Sequence, residues 1–100
     1  MGFQIDKFKD QIAEICLNLG VHRLDLFGSA TTDEFTSTSD LDFLVDFFPE
    51  QAELLQKFLT LKERLIQTLH RDVDLVTMRS ITNPYLKESI ERTRKNVFVA

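Results

Sequence analysis

The chain has 100 residues, 43% of them hydrophobic and 28% charged, with 3 Gly, 2 Pro and a net charge of −4. That length and composition fit one globular domain spanning 1–100 and exclude a two-domain enzyme or a disordered tract. The lone Cys16 excludes an internal disulfide. No stretch joins a basic start to a long apolar run, so the expected compartment is the cytoplasm, with no membrane contact. The net acidity argues against direct nucleic-acid binding, which needs a clustered cationic face. It is also unevenly spread: residues 1–50 carry Lys7, Lys9 and Arg23 against ten acidic side chains, whereas residues 51–100 carry nine basic against six acidic. Such a concentration of carboxylates is either a solvated face or a place built to hold cations.

In chain order, Ile5, Phe8, Ile12, Ile15, Cys16 and Leu19 recur at steps of three and four, which predicts a helix over 3–19 closed by Gly20. Cys16 falls on its apolar stripe and reads as core. Residues 21–28 alternate as a strand ending in Gly28-Ser29. Of the eleven residues from Ser29 to Ser39, seven are Ser or Thr, which predicts a polar loop opening with a short helical turn. From Asp40 to Phe47 the period is two again, with Leu41, Phe43, Val45 and Phe47 on one face and Asp40, Asp42, Leu44 and Asp46 on the other. Pro49 suits the first turn of a second helix carrying Leu54, Phe58, Leu61, Leu65 and Leu69, with Glu53 and Lys57 as a supporting pair. A strand over 72–77 follows. A third helix, capped by Asn83, starts at Pro84, buries Tyr85, Leu86 and Ile90 and ends near Arg94. Val97–Val99 closes the chain as a strand. This order predicts an α/β (α+β) domain with a small mixed sheet flanked by helices. The loop between the first two strands is too short for a crossover, so they should be antiparallel neighbours.

Asp40 and Asp42 leave the same face of a strand with Cα atoms roughly 6.5 Å apart. Two carboxylates so close repel by roughly 2 to 3 kcal/mol at an effective dielectric near 20, a conflict that a hard cation removes. Mg²⁺ suits one or two carboxylates supplemented by waters and substrate phosphates. Asp74 shares the strand parity. If its strand lies beside the acidic one, it becomes a third carboxylate, able to complete a two-metal site and accept a proton from an attacking hydroxyl. Gly28 lets the backbone approach a phosphate, and Ser29 offers a hydroxyl and an N–H.

Leu26-Phe27-Gly28-Ser29, then ten residues, then Asp40-Leu41-Asp42, and later Val73-Asp74-Leu75-Val76 resemble the Gly-Ser, Asp-x-Asp and distal Asp pattern of the polymerase-β-like nucleotidyltransferases. More narrowly the chain is similar to the minimal nucleotidyltransferases, many of which pair with a HEPN-domain ribonuclease as antitoxin and toxin. The resemblance implies a palm-like fold, Gly28 and Ser29 gripping ATP, and Asp40 and Asp42 binding Mg²⁺. Asp74 would be the third ligand and base. The implied reaction is transfer of AMP to a hydroxyl of the partner protein; the alternative is an antitoxin that neutralises by binding alone. One departure from the family pattern stands out: Ala30-Thr31-Thr32-Asp33-Glu34 has two acids where relatives commonly carry a base.

Several residues have plainer readings. Asp-x-Asp alone is often a solvated strand face, Gly-Ser alone is often a turn, and Asp72 rivals Asp74 if the register slips by two. His22 and His70 lie at element ends without partners at metal-ligand spacing. Arg92, Arg94 and Lys95 are explained by the dipole at the end of the third helix. Phe47-Phe48 and 97–99 read as core.

Overall fold

The structure, a computed structural model, describes residues 2–36, 38–49 and 51–100. A 3₁₀ turn, Ile5–Phe8, runs into α1 (Lys9–Asn18), which buries Ile12, Ile15 and Cys16. Gly20, at φ +68°, ends it. β1 (Val21–Phe27) follows, and Gly28 opens a second 3₁₀ turn, Gly28–Thr31, as expected at the head of the polar loop. Ser37 of that loop lies outside the described residues. β2 (Leu41–Phe47), α2 (Leu54–Leu69), β3 (Val73–Thr77), α3 (Pro84–Thr93) and β4 (Lys95–Val99) complete the chain.

The sheet order is β3-β2-β1-β4. β1 is antiparallel to β2 and to β4, while β2 and β3 are parallel and joined through α2, the crossover that parallel strands require. The period-two pattern sorts the two faces. Leu24, Leu26, Leu41, Phe43, Val45 and Leu75 point to one side and form the main core, into which α1 brings Ile12 and Cys16 and α2 brings Leu61 and Leu65. On the other side Phe27, Leu44 and Val76 pack with Leu86 and Ile90 of α3 and with Ile81. Two helices therefore close one face and one short helix partly covers the second, which leaves room there for polar groups. Among the described residues no helix is long and apolar enough to cross a membrane.

Four expectations need correction. Pro49 does not open α2: Glu53 is left-handed (φ 59°), and the helix starts only at Leu54. With Glu53 outside the helix, its pair with Lys57 does not form; the Lys57 ammonium donates instead to Gln51 Oε1 at 2.9 Å. The Gln51 amide in turn donates to the carbonyls of Gly20 and Phe48, and this tie holds the chain away from helical geometry. Tyr85 is not core but 81% exposed. Asn83 Oδ1 caps α3 by accepting the Tyr85 N–H, which puts that side chain in the first turn, outside the apolar stripe of Leu86 and Ile90. Phe48 and Val99, read as core, are also exposed.

Candidate active site

The acidic residues gather on the half-covered face. Parallel pairing sets Asp42 directly beside Asp74, each the register partner of the other on neighbouring strands. Adjacent strands lie about 4.8 Å apart, so both carboxylates rise from one place. Asp40 comes just before β2 and is exposed, and Asp42 is half-buried. Asp72 precedes β3, where its carbonyl accepts the Leu41 N–H at 2.9 Å, and Asp74, not Asp72, is the register partner of Asp42.

Burial, then the negative charges of Asp74 and Asp40, push the Asp42 carboxyl up to about 6. None of the three carboxylates makes a hydrogen bond or ion pair with another described residue, so no described group relieves their repulsion. Among the described residues, no group of three His, Cys, Asp or Glu side chains is already gathered closely enough to hold a metal ion. An open, uncompensated set of hard oxygen ligands is the donor chemistry that suits Mg²⁺, which keeps waters and substrate oxygens in its shell.

Gly28 comes next to this cluster from β1, where its neighbour Phe27 is paired with Asp42. Two observations require glycine here: φ is +77°, and a Cβ would stand 2.7 Å from Asp42 Oδ2. Gly28→Ala is expected to cost about 1 to 2 kcal/mol, seen as a fall of roughly 5 to 15 °C in the melting temperature. The Gly28 N–H donates to Thr93 Oγ1 at 2.8 Å, and the Thr93 hydroxyl donates to the Ser89 carbonyl. The last turn of α3 thus fixes the start of the Gly-Ser turn. The Ser29 hydroxyl makes no hydrogen bond with a described residue, whereas its carbonyl accepts from Thr32. Asp33 and Glu34 are exposed farther along the loop.

All five candidates, Gly28, Ser29, Asp40, Asp42 and Asp74, thus belong to three adjoining segments at one end of the sheet. Sequence reasoning missed Asp25. It is fully buried and receives hydrogen bonds from Arg94 at 2.8 Å, from Arg23 at 3.1 Å and from Asn96 at 2.9 Å. Arg94 and Lys95 accordingly need no dipole argument: Arg94 binds Asp25, and Lys95 bridges to Asp6. The alternation of Leu24, Asp25 and Leu26 gave no signal of this, because a half-exposed strand carries the same pattern. His22 pairs with Asp46 at 3.1 Å, away from the three acids.

Residues 7–97 match the nucleotidyltransferase domain family. A protein adenylyltransferase, MntA of Thermococcus cleftensis, is 39% identical over 88 residues, which cover 86% of this chain and 82% of that protein. Among solved structures, a chain assigned as a minimal nucleotidyltransferase superposes with a TM-score of 0.72 at 28% identity, covering 95% of each chain. A chain from the complex of a tri-AMPylated Shewanella oneidensis HEPN toxin with its MNT antitoxin superposes with a TM-score of 0.65 at 21% identity, covering 97% of this chain and 74% of that one.

Proposed function

As the chain belongs to the nucleotidyltransferase domain family, we propose that it transfers AMP from ATP to a hydroxyl of a partner protein, acting in the cytoplasm as the antitoxin of a HEPN ribonuclease toxin. The observation that carries this reading is the register pairing of Asp42 with Asp74 beside Gly28. The adenylyltransferase name of the Thermococcus relative and the AMPylated toxin beside an MNT antitoxin support the substrate and the partner. The free, buried thiol of Cys16 suits a reducing compartment.

Asp40, Asp42 and Asp74 would hold Mg²⁺, which supplies charge neutralisation at the phosphate oxygens and a fixed geometry for in-line displacement. The chain's own part is then to bind and orient. The Ser29 hydroxyl donates to a phosphate oxygen, and Gly28 lets the triphosphate lie against the sheet end. The acceptor oxygen attacks the α-phosphorus, a new P–O bond forms, and the bond to the bridging oxygen breaks with pyrophosphate leaving. Asp74, the more exposed of the register pair, takes the hydroxyl proton.

The test incubates the chain with its partner and ATP labelled either at the α- or at the γ-phosphate. Label from the α-position alone should enter the partner, and Asp74→Asn should lower the rate at least about 100-fold with binding intact. Neutralisation without any label transfer would instead establish an antitoxin that acts by binding alone.

A further inference from the structure

We propose that Arg71 is a positioning residue that sets Asp40 for the metal, an inference that rests on the proposed nucleotidyltransferase site. The two acids of the Asp-x-Asp pair are held differently. Asp42 lies inside the ladder, paired with Phe27 on one side and Asp74 on the other. Asp40 precedes the first paired residue, Leu41, and its own N–H and carbonyl take no part in the ladder, whose first bond runs from the Leu41 N–H to the Asp72 carbonyl. Its position depends on the segment that delivers it. There the Arg71 guanidinium donates to the carbonyls of Ser39 at 2.6 Å and Thr36 at 3.0 Å. The same guanidinium lies 4.6 Å from the centre of the Phe35 ring, and that ring packs edge-on against Phe3. The Phe3 N–H donates to Ala30 at 2.7 Å, so the chain between Ser29 and Asp40 is tied at both ends.

Arg71 also stands immediately before Asp72, whose carbonyl accepts the Leu41 N–H. One side chain therefore locks the approach to Asp40 onto the approach to Asp74. One guanidinium nitrogen bonds both carbonyls while the flat group lies over a ring; an ammonium could bond the carbonyls but has no flat face to lay on the ring, so Arg71→Lys should restore the function only partly. Removing such a supporting contact lowers metal affinity by about 10-fold or more.

The test uses the full chain, Arg71→Ala and Arg71→Lys, with Mn²⁺ as the probe. Mn²⁺ binding is followed by its own spin resonance, amide exchange is read at Ser39 and Leu41, and global stability is read by melting in EDTA. Arg71→Ala should bind Mn²⁺ about 10-fold more weakly and exchange faster at those two amides, with Arg71→Lys between it and the parent. The melting temperatures should stay within a few degrees of each other. If the parent and Arg71→Ala take up Mn²⁺ equally, or if weaker uptake simply follows a lowered melting temperature, the positioning role is overturned. If the parent itself takes up no Mn²⁺, the metal-site reading fails first, and the role assigned to Arg71 falls with it.

Discussion

Replacing Asp42 by Asn is expected to raise the melting temperature of the metal-free chain by roughly 5 to 10 °C near pH 7.5, while abolishing AMP transfer. The cause is the carboxyl held up near 6 by burial and by Asp74 and Asp40. Because the folded value lies above the unfolded one, the folded chain binds the proton more tightly. Its stability therefore falls as pH rises from about 4 to about 6, and the full penalty remains above that window. A shift of this size corresponds to about 3 kcal/mol, which we halve because Asp42 is partly open to solvent. Asn keeps the shape without the charge. The difference between variant and parent should vanish near pH 4 and grow through pH 6. Millimolar Mg²⁺ at neutral pH should then reverse it, since only the parent gains a bound cation. A variant no more stable than the parent in EDTA would mean that the three acids do not strain the fold. The electrostatic case for a cation site would then be lost.

Such strain explains how much could be read from the sequence. Periods of two and of three to four residues reported the buried faces, so the strands and helices followed from residues such as Phe43 and Leu61. The site could be read in part because Asp40, Asp42 and Asp74 break that patterning in phase with it. The meeting of Asp42 with Asp74 could not be read, because it depends on β3 lying beside β2 and not at the far edge next to β4. Contacts between distant residues left no local trace. Asp25 alternates between leucines like a surface residue, yet two of its three partners lie 69 and 71 positions away. The late start of α2 was hidden for a similar reason: the Gln51 side chain bonds the carbonyl of Gly20, 31 positions back, as well as that of Phe48.

Asp25→Ala is expected to be the most destabilising single change at a polar position, costing about 2 to 4 kcal/mol and lowering the melting temperature by roughly 10 to 25 °C. The carboxylate is wholly enclosed and binds three side chains from β1, from the end of α3 and from β4. Burial pushes its carboxyl up, but hydrogen bonds from Asn96, Arg94 and Arg23 together outweigh burial and hold it below the usual range. With the folded value below the unfolded one, the stabilisation is present above about pH 4 and is lost as pH falls through the folded value. The parent should therefore converge on the variant in acid, the opposite trend to that of Asp42. Removing the carboxylate leaves the partly buried Arg94 with only the exposed Glu91, at 3.5 Å, as counter-charge, whereas the more exposed Arg23 can turn to water. Adding Arg94→Met to Asp25→Ala should accordingly recover part of the loss, because a partly buried charge that has lost its enclosed partner costs more than no charge. The effect should also reach the site. Arg94 directly follows Thr93, whose hydroxyl accepts the Gly28 N–H, so the single variant should bind ATP more weakly even at temperatures where it is folded. Unchanged ATP affinity in a destabilised but folded Asp25→Ala chain would show that the end of α3 holds the Gly-Ser turn without this buried ion pair.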